Sequence, residues 1–504
     1  MPTSRRDFLR LGAALGLAPA LQPFGLRLAA LGAAAAPTDY RAIVCLFLFG
    51  GNDSANMVLA TDPDSWGRYQ SARNQGTSNI ALASPGAAAT AKGLGSLGAP
   101  ALGGVLPITP RTDQGWAAGT TGSGARTFAL HPLMPNLQAL FAQGKAAVVA
   151  NLGPLVQPVT KAQYKAGSVP VPRNLFSHTD QQSTWQTGAG EGARLGWGGL
   201  LGDVLASGNG NALFTAISVS GNAVLLSGRS TIGYQSSASG PIAITGLHQS
   251  SFFGSTAGPA ALQSIISTPT SAYPSYFQQD HAAVVNRSAA AQQQLANALA
   301  AIAAAPAPPK MTDPMSGAAV TNPVAVGLQT IANLIAAGQV AGMKRQVFFL
   351  AVGGFDTHLE ENSSHPKLMA SLDGGLAYFQ QTLANLNGQD LTGNVTAFTM
   401  SDFGRTFTSN GSGTDHGWGA HHLVVGGAVQ GGDIFGRYPT VGVDLGAFVN
   451  PDALYSGVWV PTTAVDQYAA TLGSWMGVGD ADLAAIFPNL ANFASGGTAK
   501  LGFL

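Results

Sequence analysis

Charge is what this chain has least of. Only 10% of its 504 residues are Asp, Glu, Lys or Arg, and the two signs balance at 24 each. Without a net field the protein has no long-range pull toward nucleic acid or anionic lipid, so no nucleic-acid partner is expected. Cysteine is almost missing as well. A single Cys45 excludes an intramolecular disulfide, and its place in an apolar run makes it an inert core thiol. The apolar stretch near the N-terminus is broken by Arg27 and two prolines, and falls short of the ~20 residues a membrane span needs.

What is abundant is glycine, 66 residues of it, within a 46% hydrophobic composition. A chain of this length buries a large core, and its low charge predicts long, weakly charged surface loops. The N-terminus, "TSRRDFLRLGAALGLAPALQPFGLRLAALGAAAAPTDY", pairs Arg5 with Arg6 ahead of Phe8, Leu9 and a mildly apolar run that ends in small residues. It resembles a twin-arginine export signal over residues 1–35, cleaved near Ala35. That resemblance implies the twin-arginine translocase as a transient partner, a periplasmic or extracellular location, and export in folded form, often with a cofactor inside.

Four short runs rich in β-branched and aromatic residues end in polar or glycine-rich turns: Ala42 to Asp53, Ala146 to Gly153, Gln346 to His358 and Asn394 to Arg405. Such runs read as buried parallel strands. Helical spacing falls between them, at Pro135 to Ala142 and at Leu368 to Leu386, and again in the C-terminal "TTAVDQYAATLGSWMGV". The fold expected is α/β, with a mainly parallel central sheet flanked by helices, in one domain over residues 38–504. Two irregular tracts, about 60–127 and 215–342, read as insertions, the second carrying an Ala/Gln-rich helix over Tyr276 to Ala304.

Ligands of open α/β sheets gather outside the carboxyl ends of strands. There the sequence puts Asp53 after the first run, Asp356 and His358 after the third and Asp402 after the fourth, with Asp415 and His416 just beyond. Carboxylates converging on one sheet edge repel each other unless cations compensate them. Acids mixed with imidazole suit a divalent ion such as zinc, manganese or magnesium. Each residue also has a plainer use, since Asp and Asn close turns and cap helices. The segment "RNLFSHTDQQSTWQTG" joins Ser177, His178 and Asp180. Ser177 reads equally as a nucleophile activated by a metal or as the cap of the following helix. His178 would orient or protonate the reacting group. Arg405 is either a clamp for an anionic group or a structural cap. "SGTDHGWGAHH" adds His421 and His422, which face opposite ways if extended. "GLGSLG" at Gly93 to Gly98 fits a dinucleotide fingerprint but follows no strand, and is set aside. His248 and His281 lie in insertion segments.

"LFGGNDSANMVL", "HPLMPNLQALFAQGKAAVVANLG", "FSHTDQQSTWQTG", "VGGFDTHLEEN" and "MSDFGRTFTSNGSGTDHGWGAHHLVVGGAVQGG" resemble, in this order, the bacterial family catalogued as domain of unknown function 1501, grouped with the alkaline phosphatase and sulfatase superfamily. The resemblance implies an alkaline-phosphatase-like fold and a set of roles. Asp53 would be the first metal aspartate and Ser177 the nucleophile. Asp356 with His358 would form the later Asp and His pair, His365 competing for the second place. Asp402 would be the aspartate of an Asp-His dyad and His416 the last histidine. Phe403 stands where the resemblance implies a histidine ligand, leaving Asp415, His421 or a water to substitute. Two functions follow as expectations. One is an exported metal-dependent hydrolase of small anionic phosphate or sulfate esters. The other is a non-catalytic exported protein that binds at the same sheet edge or partners a co-encoded exported protein.

Overall fold

A ten-stranded mixed sheet, mostly parallel, runs through the molecule. The structure is a computed structural model that describes residues 39–504, apart from 77–78, 91–97, 116–124, 238–239, 248 and 497–498. The export segment, His248 and most of "GLGSLG" therefore lie outside the described residues. In chain order the sheet's strands are β1 (Arg41–Leu48), β2 (Ala146–Gly153), β3 (Ala216–Ser218), β4 (Tyr234–Ser237), β5 (Gly240–Pro241), β6 (Arg345–Val352), β7 (Val395–Ser401), β8 (Ala420–Val425), β9 (Ile434–Phe435) and β10 (Thr463–Ala464). They lie side by side as β9-β2-β8-β7-β1-β6-β3-β4-β5, with β10 also on β2.

The four sequence runs form the long strands β1, β2, β6 and β7. In the centre β1 pairs in parallel with β6 on one side and β7 on the other, Cys45 standing between Phe349 and Phe398. Every second residue of β1 faces the same way. Val44, Leu46 and Leu48 join a core with Leu137, Leu328, Leu372 and Phe379. Those four come from the helices Pro135–Ala142, Pro323–Val340 and Glu361–Leu383. On the other face Ile43, Cys45 and Phe47 pack with Trp185, Leu201 and Tyr468, from the helices His178–Thr187, Trp197–Leu205 and Val465–Trp475. Cys45 is buried and unbridged.

The sheet departs from a purely parallel one at β8, which runs antiparallel between β7 and β2, and at its edge, where β4 and β5 pair antiparallel. The tract 60–127 is not all loop. It holds the helix Pro63–Arg73, and its flanking strands Val58–Ala60 and Phe128–Leu130 form a small antiparallel sheet with Leu106–Ile108. The tract 215–342 contributes to the core at both ends. β3 pairs with β6, and the helix Pro323–Val340 is buried along most of its length. Its apolar sequence would suit a membrane span, but a Cβ on Gly327 would meet the Leu350 side chain at 2.5 Å, so the helix is pressed onto the sheet. Between these ends the helix Tyr276–Ala300 carries His281 on its exposed side.

Candidate metal centre

The carboxyl ends of β1, β6 and β7 lie together because the three strands are neighbours in parallel. The turns leaving β1 and β6 touch. Gly50 has φ +119, and a Cβ there would lie 2.2 Å from the Asp356 amide nitrogen, so only glycine lets the two turns abut. Asp356 is thereby fixed beside the end of β1. A hairpin beyond β7 then brings His416 back, with Arg405 bridged to His416 and the Thr406 amide donating to the Asp415 carbonyl. Gly413, Gly417 and Gly419 do not bend this hairpin through left-handed φ values. They permit close approach, since Cβ atoms there would stand 2.0, 2.7 and 2.2 Å from Thr357, Arg405 and Asn151.

Three imidazoles surround the Asp356 carboxylate. His178 Nε2 is 3.4 Å from Oδ2, while His358 Nε2 and His416 Nε2 are 3.2 and 3.5 Å from Oδ1. The far nitrogen of each ring meets an oxygen that fixes its tautomer. His178 Nδ1 donates to Asp402 Oδ2 at 2.6 Å, His358 Nδ1 to Asp415 Oδ1 at 3.1 Å, and His416 Nδ1 to the Phe176 carbonyl at 2.8 Å. A carboxylate or carbonyl can only accept, so each Nδ1 carries a proton, and a ring that is neutral presents its lone pair at Nε2. The Nε2 atoms of His358 and His416 face each other at 2.8 Å. Metal-binding histidines are held in this way, the second ring nitrogen tied to a carboxylate or carbonyl. His178, Asp356 and His416 offer ligand atoms all within 4.8 Å of one another, the one such group among the described residues. Two nitrogens at ~2.0–2.1 Å from one tetrahedral ion sit ~3.3–3.4 Å apart, so the His358 and His416 rings would part by about 0.5 Å to admit one.

Charge follows the same geometry. Asp402 raises His178 through their hydrogen bond, against the downward effect of partial burial. Burial pushes Asp356 up, but Arg405 together with His358 and His178 outweighs it and holds the carboxyl below its usual range. Burial lowers His416 and favours its neutral, ligating form. The side chains of His178, His358, Asp356 and His416 remain 22 to 46% exposed, so one side of the cluster opens to solvent.

The other expected site residues lie elsewhere or behind these four. Asp53 does not reach the cluster. It is buried in a two-pronged ion pair with Arg73, at 2.5 and 2.9 Å, and that cation holds its carboxyl down against the upward push of burial. Asp402 and Asp415 stand behind His178 and His358; Gln182 also donates to Asp402 Oδ2, at 2.9 Å. Arg405 is spent within the protein. Its guanidinium is fully buried, bonds Asp356 Oδ1 at 2.7 Å, and also donates to the Gly50 and Thr414 carbonyls. Ser177 caps the helix His178–Thr187, its hydroxyl accepting from the Asp180 amide and lying 3.2 Å from Thr179 Oγ1. His365 is buried against Asn52 and His131, and burial lowers it to about 4. His421 is stacked on Tyr438 inside the core. Phe403 is buried with its ring 4.8 Å from that of His178 and 4.5 Å from that of His416, an apolar wall between the imidazoles.

The Phe176 carbonyl, the Gln182 amide and the Phe403 wall are parts of the site that the sequence does not announce. Only Gln182 had a visible signal: it lies four residues after His178 and so shares its helix face. No protein of curated function matches the chain. A family model matches from just before β1 to beyond the helix Val465–Trp475, and on that span, residues 40–487, the chain belongs to the family described as protein of unknown function (DUF1501).

Proposed function

We propose that the protein is an exported hydrolase with one divalent metal ion held by His178, His358, His416 and Asp356, acting on phosphate or sulfate esters. The observation that carries the reading is the 2.8 Å approach of two imidazole nitrogens, His358 Nε2 and His416 Nε2, beside a carboxylate. A cation between them turns repulsion into coordination. Three nitrogens and one oxygen favour zinc or another borderline ion over magnesium. Such an ion would polarise an ester oxygen and make a water nucleophilic near neutral pH. The protein's own residues then orient rather than attack. Asp402, Asp415 and the Phe176 carbonyl hold the rings, Arg405 holds Asp356, and Phe403 keeps water off the inner side. Water takes the place of Ser177 as nucleophile, because the serine hydroxyl faces the Asp180 amide and Thr179 rather than the Asp356 cluster. The paired Arg5 and Arg6 support export of the folded chain by the twin-arginine route, and the strand-end site supports the kinship with alkaline phosphatases drawn from the motifs.

A second reading, an exported protein that binds a ligand at the metal without turning it over, draws support from Arg405. Its guanidinium is occupied by Asp356 and two carbonyls, so it is not offered to an anionic substrate. Elemental analysis of the exported protein and of Asp356→Ala, with a panel of phosphate and sulfate esters, separates the two. The hydrolase reading expects about one ion per chain and ester turnover, both lost in the variant. Metal without turnover on any ester leaves the binding reading, and no metal in the wild type removes both.

A further inference from the structure

At the tip of the hairpin that returns His416, a separate pocket of about 500 Å³ opens between the helix Pro63–Arg73 and the segment 443–448. That is within the range of small-molecule sites. Its floor is Arg68. The guanidinium lies over the Phe448 ring, 4.2 Å from carbon to centroid, and its Nη1 is buried with no hydrogen-bond partner. Arg68 makes no ion pair among the described residues, and no Asp or Glu is among the described residues that line the pocket. Nη1 itself has no accessible surface, but the side chain as a whole is partly exposed and lines the pocket, so an entering acceptor meets the rest of the guanidinium. Stacking on an aromatic face holds a guanidinium in place while leaving its in-plane N–H groups for a planar or tetrahedral anion.

The remaining walls have two characters. Ser71 and Thr408 bring hydroxyls, while Val443, Leu445 and Phe448 are apolar, and Leu445 is 68% exposed at the rim. Neither bulk water nor a bare ion uses both halves of such a pocket. We infer that it binds an organic anion, a sulfate, phosphate or carboxylate head on Arg68 with an apolar body against Leu445 and Phe448. The site is independent of the metal centre and stands whether or not that centre binds an ion.

Calorimetric titration of the exported full-length protein tests this with hexyl sulfate, hexan-1-ol and inorganic sulfate. Hexyl sulfate is expected to bind at one saturable site, at least tenfold tighter than either of the others. Arg68→Gln is expected to weaken it at least tenfold, and high salt to weaken it in the wild type, where the pairing is charge-assisted. Leu445→Asp, on an exposed side chain, should do the same by removing apolar surface and adding a like charge. Both variants are checked to melt as the wild type does and to keep its metal content, which separates this pocket from the metal centre. Equal binding to Arg68→Gln overturns the inference. So does hexyl sulfate binding no better than inorganic sulfate, or not at all.

Discussion

His416 gives its Nδ1 proton to the Phe176 carbonyl, 2.8 Å away, and so turns a bare Nε2 toward His358. The residue that accepts that proton sits directly before Ser177 and His178, so one short segment both orients one imidazole and supplies another. The loop from β7 and the helix after Ser177 are thereby locked into a single site. Losing either contact should loosen both.

Asp402 is the first place to test that coupling. It is fully buried and meets both His178 Nδ1 and Gln182. Asp402→Ala removes no residue that faces Asp356, yet it frees the His178 ring and leaves its Nδ1–H unmatched. Losses of such orienting partners cost 10–100-fold in metal affinity. Zinc affinity measured by chelator competition should fall in that range, whereas Asp356→Ala should abolish binding.

Asp53 separates this arrangement from the one the motifs imply. If Asp53 were a ligand, Asp53→Asn would lose metal. The buried pair with Arg73 predicts otherwise: metal content stays at the wild-type level while the protein loses roughly 3–5 kcal/mol, the usual cost of orphaning one member of a buried ion pair. Urea unfolding alongside elemental analysis of the same preparation reads both quantities.

The sheet was legible and the pairing of its acids was not. Continuous apolar runs mark strands buried on both faces, and those runs became β1, β2, β6 and β7. β8 escaped because "AHHLVV" opens with two histidines, which read as polar. Both are buried, His422 against Trp185 and His421 against Tyr438, on opposite sides of the strand. The strand-end rule placed Asp356, His358 and Asp402 near one another, because it depends only on topology. It could not say that Arg73, on a helix in a tract that reads as loop, captures Asp53. Nor could it tell a carboxylate that faces the centre from one that stands behind an imidazole, a difference of one side-chain length.

Ser177 gives a kinetic test of the same distinction. As a helix cap its loss costs about 1 kcal/mol. If any ester is hydrolysed, Ser177→Ala should retain kcat within a few-fold and lower the melting temperature slightly. A fall of several orders of magnitude in kcat, with metal still bound, would restore the serine as nucleophile.

Buried histidines set the response to acid. Burial lowers His421 and His422 from 6.5 to about 3. In the unfolded chain both protonate as the pH drops through 6.5, while in the folded protein they stay neutral until about 3. The unfolded state therefore takes up more protons across that window, so this contribution to stability is complete above pH 6.5 and drains away as the pH falls toward 3. Each imidazole removes ~1.4 kcal/mol per pH unit within the window. His422 has the simpler surroundings, with Nδ1 3.2 Å from Thr399 Oγ1 and the ring against Trp185. His422→Phe keeps the ring contact and takes away the proton site. Urea unfolding between pH 6.5 and 4.5 should show the variant less stable than wild type at pH 6.5, through the lost hydrogen bond, but with a shallower slope by ~1.4 kcal/mol per unit. The two curves then converge as the pH falls, and parallel curves would mean that His422 already protonates in the folded protein.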